Sequence, residues 1–182
     1  MIRTLFLCLA LLQISPTTKM QPVIDNERVK VWDVTGADPQ PLDTVVVSMN
    51  GNVSWSPKGS TPKLDGRSAV INLKDHAVAP LENKSGYPLG FPRPGAKKLL
   101  ENDRVIIWDY TWIPDVPTPM HFHDKDVVAV FLEDGDLKST TPDGKSSVTE
   151  YKAPTIKFNA RDRTHAETLV KGKQRAIITE LK

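Results

Sequence analysis

The segment Pro117-Thr118-Pro119-Met120-His121-Phe122-His123, continued by Asp124-Lys125-Asp126 and the apolar run Val127 to Leu132, decides how the chain reads. Two histidines at i and i+2 on a strand point to the same face of a sheet, because strand side chains alternate with a period of two. The chain has only four histidines, and this segment takes two of them. A third, His165, lies on another strand-like segment near the C-terminus. Three imidazoles converging from two strands would form a divalent-metal site with open coordination positions. Taken alone, a His-x-His reads more readily as two half-exposed strand residues, but its surroundings reverse that reading.

Outward from this segment the pattern is β throughout. Downstream, Asp126 to Leu132 turns at Glu133-Asp134-Gly135-Asp136, and Pro142-Asp143-Gly144-Lys145 is a second tight turn. Ser147 to Tyr151, Thr155 to Phe158, His165 to Val170 and Arg175 to Leu181 are short strands. Upstream, Arg104 to Trp112 is a strand, and Pro114 to Pro119 leads from it to the histidines. Glu82 to Lys97 is rich in Pro and Gly and predicts a connection without regular structure. Earlier strands are expected in the run that holds Val29, Val31 and Trp32 and ends at Thr35-Gly36, at Thr44 to Met49 with a turn at Asn50-Gly51, and at Ala69 to Leu73. No amphipathic helix is predicted, so many short strands between turns argue for an all-β sandwich or jelly-roll barrel.

The chain also repeats itself. Asn26-Glu-Arg-Val-Lys-Val-Trp-Asp-Val-Thr35 matches Asn102-Asp-Arg-Val-Ile-Ile-Trp-Asp-Tyr-Thr111 at most positions. At a slightly different offset, Asp43-Thr-Val-Val-Val-Ser-Met49 matches Asp126-Val-Val-Ala-Val-Phe-Leu132. Two blocks in the same order predict two tandem halves, residues 20–98 and 99–182.

Residues 1–19 do not read as part of the fold. Arg3 gives a positive start, Leu5 to Ile14 is an apolar core too short to span a bilayer, and Ser15 to Thr18 are small or helix-breaking. This is the pattern of a secretory signal peptide, and a secreted or periplasmic protein is expected. The single cysteine, Cys8, would leave with it, so disulfides play no part in the expected fold. Losing Arg3 and Lys19 takes Lys+Arg from 24 to 22 against 22 Asp+Glu, a net charge near zero. With no basic tract, nucleic acid is not an expected partner. No later apolar run is long enough for a membrane span.

The second half resembles the cupins, small jelly-roll barrels whose first motif is Gly, five residues, His-x-His, three or four residues, Glu, six residues, Gly. His121 and His123 match the paired ligands, Gly135 matches the closing glycine, and His165 matches the histidine of the second motif. Asp115 stands at the leading glycine, while Ala160 and Asp162 replace the Pro and Gly of the second motif. With the spacing that fits Gly135, the glutamate ligand falls on Val128. The resemblance therefore implies antiparallel jelly-roll barrels, the first degenerate, and a three-histidine site for Fe, Mn, Ni, Cu or Zn. Asp126 is the candidate fourth ligand, and Glu167, two residues after His165, is a further one. In the first half, Asp38-Pro39-Gln40 align with the His-x-His and form no metal site, and His76 is a candidate counterpart of His165. Three-histidine cupin sites are similar to those of thiol and β-diketone dioxygenases, which implies a small-molecule substrate. A non-catalytic metal or ligand binder is the alternative, and a homodimer is the expected assembly.

Overall fold

The computed structural model describes residues 21–36, 38, 40–76 and 78–182, so the expected signal peptide lies outside the described residues. Its first half contributes β1 (Ile24–Asp25), β2 (Val29–Val34), β3 (Thr44–Ser48), β4 (Val53–Ser56) and β5 (Ser68–Leu73). The second contributes β6 (Lys97–Glu101), β7 (Val105–Trp112), β8 (His121–His123), β9 (Asp126–Phe131), β10 (Gly135–Thr140), β11 (Ser146–Tyr151), β12 (Thr155–Asn159), β13 (Arg163–Gly172) and β14 (Gln174–Leu181). All are paired antiparallel in three sheets, and the described residues contain no helix. The boundary drawn between 98 and 99 cuts through β6, which begins at Lys97.

The sheets stack as three layers. The first half is a single sheet ordered β1-β2-β5-β3-β4, and the middle layer is ordered β6-β7-β14-β9-β12. The third layer, β8-β13-β10-β11, closes with the middle one into a barrel. Barrel contents come from both walls: Trp108, Tyr110 and Trp112 of β7 and Phe131 of β9 pack with Leu137 and Leu169 of the third layer. On its other face the middle sheet meets the first half through Val105, Ile107, Val128, Val130, Ile177 and Leu181. This double burial explains why Val127 to Phe131 reads as one apolar run rather than an alternation.

The first and middle sheets correspond strand for strand and register for register. Val29 opposes Leu73 as Val105 opposes Leu181. Thr44 opposes Asn72 as Val127 opposes Glu180, and Val47 opposes Val53 as Val130 opposes Ile156. Matched residues make matched bonds. Asn26 and Asn102 each accept from the second and third backbone amides that follow them. Trp32 Nε1 donates to Asn72 at 3.1 Å, and Trp108 Nε1 to Glu180 at 2.8 Å. Asp33 holds Arg67 through two hydrogen bonds, and Asp109 holds Arg175 in the same way.

The two faces in contact are also built from matched positions: Val29, Val31, Val45, Val47 and Leu73 face the set containing Val105, Ile107, Val128, Val130 and Leu181. Such a self-complementary pairing is how two-fold-related surfaces meet. At its rim Arg28 donates to Asp126 at 3.0 Å and to the Lys182 carbonyl at 2.9 Å. Reciprocally, Arg104 donates to Asp43 at 3.3 Å and to the Lys74 carbonyl at 3.1 Å.

The two rim pairs differ in exposure: the Arg28 and Asp126 side chains are each 9% exposed, whereas Arg104 is 32% exposed. Removing one partner of a buried pair strands the other charge, at a cost of roughly 3 kcal/mol or more. A half-exposed pair contributes ~0–1 kcal/mol. Urea unfolding is therefore expected to show a large loss of stability for Arg28→Ala and a small one for Arg104→Ala. Equal losses would contradict the burial argument.

Candidate metal centre

The site is built where β8 pairs with β13. His165 lies directly opposite His121, and Arg163 opposite His123, so all three imidazoles share the face turned into the barrel. Phe122, between them, points to the other face and does not line the site. Tyr110 and Trp112 do lie inside the barrel. The three ring nitrogens converge: His121 Nε2 is 3.1 Å from His123 Nε2, which is 3.2 Å from His165 Nε2. Nitrogens about 2.0–2.1 Å from one ion, at angles between octahedral and tetrahedral, stand about 2.8–3.4 Å apart. The donor set fits a divalent ion.

Orientation of the rings is set from behind. His121 Nδ1 lies 2.7 Å from the Pro119 carbonyl, which can only accept, so Nδ1 carries the proton and Nε2 presents its lone pair. His165 Nδ1 is 3.4 Å from Ser139 Oγ, while His123 Nδ1 is buried without a partner. Burial, and then the charge of Arg93, push the pKa of His121 down to about 4. Burial is also the first cause that drives His123 and His165 downward. All three are neutral at pH 7, the protonation state a metal ligand needs.

The carboxylate expectations need correcting. Asp126 stands at the start of β9 with both oxygens engaged, one by Arg28 and the other by the Arg161 backbone amide. It belongs to the rim between the halves and is not grouped with the histidines. Val128 does not take the place of the glutamate ligand either. It faces the first half, and the residue of β9 beside the histidines is Val127, one position earlier. Glu167 does lie inside the barrel, but it accepts from Trp112 Nε1 at 3.1 Å and sits 3.6 Å from Arg93. His76 is not grouped with the three histidines and lies 3.6 Å from Glu27 at the rim.

Sequence reasoning missed what the 82–97 connection does. Leu89 bridges Phe122 in parallel, Phe122 donates its amide to the Pro88 carbonyl, and Gly90 donates to Phe122. This lays Gly90 against the imidazoles so closely that a Cβ there would come within 3.1 Å of both His121 and His123. Phe91 and Arg93 then enter the barrel. Arg93 stacks on Tyr110 at 3.9 Å and Phe91 at 4.6 Å, and its Nη1 donates to His121 Nε2 at 3.2 Å. The only available signal was an arginine between two prolines in Phe91-Pro92-Arg93-Pro94.

Two motif departures turn out to keep the backbone they replace. Asp115 and Asp162, standing at glycine positions, have φ of 59° and 64°, the left-handed region that glycine favours and aspartate tolerates. At Gly135 the match is strict, since a side chain would collide with the Lys173 carbonyl. Jelly-roll strand order, paired histidines, closing glycine and second-motif histidine now stand together. The second half has the jelly-roll barrel fold that the resemblance implies.

No protein-family model and no curated protein matches the chain. Solved structures similar to it include a cupin domain from Bordetella pertussis Tohama I, at 25% identity over 51% of this chain and 99% of that one, with a TM-score of 0.43. A cupin 2 conserved barrel domain protein from Leptotrichia buccalis matches at 11% identity over 90% of this chain and 88% of that one, with a TM-score of 0.47. A polyketide cyclase from Streptomyces resistomycificus matches at 22% identity over 58% of this chain and 80% of that one, with a TM-score of 0.39.

Two measurements check this site. His121→Ala or His165→Ala should abolish metal uptake on elemental analysis while leaving the fold intact. Asp126→Asn should retain the metal and instead lower the urea midpoint. Metal loss from Asp126→Asn as complete as from His121→Ala would restore a carboxylate ligand.

The histidines also fix a pH dependence. In the unfolded chain they take up protons near pH 6.5, but folded His121 does so only at about 4. Between those values the unfolded state binds more protons, so stability falls as pH falls. The metal-free protein should lose urea resistance between pH 6.5 and 4, with a shallower loss in His121→Gln.

Proposed function

We propose that the chain is an exported cupin that holds a divalent metal on His121, His123 and His165 and acts on a small molecule as a mononuclear metalloenzyme of the dioxygenase type. The observation that carries this reading is the convergence of three neutral Nε2 atoms, 3.1 and 3.2 Å apart in sequence, on one point inside the barrel. A divalent ion bound there by neutral nitrogens alone would keep its full double charge and supply positions for exogenous ligands. The protein's own part is to orient and to exclude water. The Pro119 carbonyl fixes His121, Gly90 lets the chain close over the imidazoles, and Val127, Trp112 and Phe131 give the site an apolar wall. The first half serves as a cover for the barrel's outer sheet. We read the two halves as copies of one unit, on the strength of their matched registers and bonds.

One observation favours a second reading, metal sequestration without turnover. The cavity beside the histidines is only about 40 Å³, room for little more than a water-sized group.

Protein isolated from its native host should begin between about Thr18 and Val23 and carry one equivalent of metal. Loaded with Fe(II), it should consume oxygen with a member of a panel of thiols and β-diketones, and His123→Ala should not. Tight metal binding with no uptake on any of them would select the second reading. Protein beginning at Met1 in a cytosolic fraction would remove the export proposal.

A further inference from the structure

The outer face of the first sheet is not built as a water-facing surface. Val29, Val31, Val45, Val47 and Ile71 point to the middle sheet, so alternation turns Lys30, Trp32, Val34, Val46, Val70 and Asn72 the other way. Cross-strand pairing sets them in rows, Lys30 beside Asn72 and Thr44, and Trp32 beside Val70 and Val46. Val34, Val46, Val70, Thr44 and Asn72 are buried, although among the described residues no further sheet covers this face.

The cover comes from two loops clipped together at Gln40. Its amide donates to the Ser60 carbonyl at 3.0 Å, and its own carbonyl accepts from Gly59 at 2.8 Å. Its Oε1 accepts from Asn72 Nδ2 at 3.0 Å, which ties the loop to the sheet. The cover is incomplete. Between loop and sheet lies an open hollow of about 410 Å³, whose lining includes Lys30, Trp32, Gln40, Leu42, Val70 and Asn72. Small-molecule sites occupy roughly 300–1,000 Å³.

The chemistry of the hollow narrows what fits. Trp32 is partly exposed, and its Nε1 is held by Asn72 Oδ1 at 3.1 Å, so the ring is fixed while part of its apolar surface stays open. The side-chain oxygens of Asn72 and Gln40 each accept one hydrogen bond and keep a second lone pair. Lys30 and Lys74 supply donors, yet both pair with Asp25, and Asp38 also lines the hollow. Two cations against two carboxylates leave no net charge to recruit an ion. The ligand must therefore be neutral, with an apolar face for the ring and a rim of groups that both donate and accept. A six-membered sugar ring, with C–H bonds on its faces and hydroxyls at its edge, meets these conditions.

We propose that the first half carries a second site, which binds a neutral pyranose sugar against Trp32. It is independent of the metal reading, because the sheet itself and the middle layer separate it from the histidines. Saturation-transfer NMR on the full chain, metal-free and cobalt-loaded, tests it with methyl glucoside, galactoside and mannoside, and with indole as an apolar control. At least one pyranoside should receive saturation, strongest at the C–H protons of one ring face, and equally with and without cobalt. Trp32→Ala should keep the wild-type circular dichroism but weaken that pyranoside by at least about tenfold. Trp32→Phe, which retains a smaller ring without the Nε1 bond, should fall between and serves if Trp32→Ala does not fold. No saturation of any pyranoside, unchanged affinity in the folded variants, binding that requires cobalt, or indole bound more tightly than every pyranoside would overturn the proposal.

Discussion

The structure depends on one sheet being buried on both faces. β7, β14 and β9 carry all their buried aromatic residues toward the barrel, with Val127, Ala129, Ala176 and Ile178, and only Val, Ile and Leu toward the first half. A single jelly roll would leave Val105, Ile107, Val128, Val130, Ile177 and Leu181 in water, a patch that association with another apolar face would have to cover. Here the cover is covalently attached and built from matched positions, so the same residue pattern satisfies both sides. The apolar contact fixes little about register by itself. Register comes from the rim, where Arg28 and Arg104 each reach across to an aspartate and a carbonyl of the opposite half.

Burial on the other face creates the conditions for the site. Burial and the neighbouring Arg93 both disfavour protonating the three imidazoles. The arrangement is held by the β8–β13 pairing, the Pro119 carbonyl and the overlying Gly90. Three neutral imidazoles held this close by the backbone form a donor set that could hold a divalent ion without rearrangement.

Much of this was legible in the sequence because it follows from period and from repeated residues. Histidines two apart share a face wherever a strand forms, and the repeated Arg-Val-x-[Val/Ile]-Trp-Asp marks residues that make repeated bonds. What was not legible needed three dimensions. Val127 rather than Val128 faces the histidines because β9 sets its own alternation, independent of motif spacing counted from His123. Asp126 is drawn to a partner, Arg28, 98 positions away. β1, β4, β6 and β10 were missed because the first three are short edge strands and the last buries Leu137 as its one larger apolar side chain. The 82–97 connection was read as structureless because prolines remove ladder donors, and its function lies in the side chains that it delivers into the barrel.

The matched halves show why only one of them carries a histidine site. In the second half β9 is joined to β12 through the β10–β11 hairpin, and β12 to β14 through β13. In the first half β3 turns directly into β4 at Asn50-Gly51, with Gly51 at φ 93°, and residues 57–67 form a loop where β13 would be. Among the described residues, the layer that supplies His121, His123 and His165 therefore has no counterpart in the first half. No substitution at Asp38 or Gln40 alone could create such a site there. The tryptophan bonds record the same difference. Trp108 donates to a glutamate in an interior that also holds Arg93, whereas Trp32 donates to Asn72, whose amide is taken up by Gln40 and Thr44. A carboxylate is retained on the side where a buried cation offsets its charge, and a neutral amide serves where the partners are neutral.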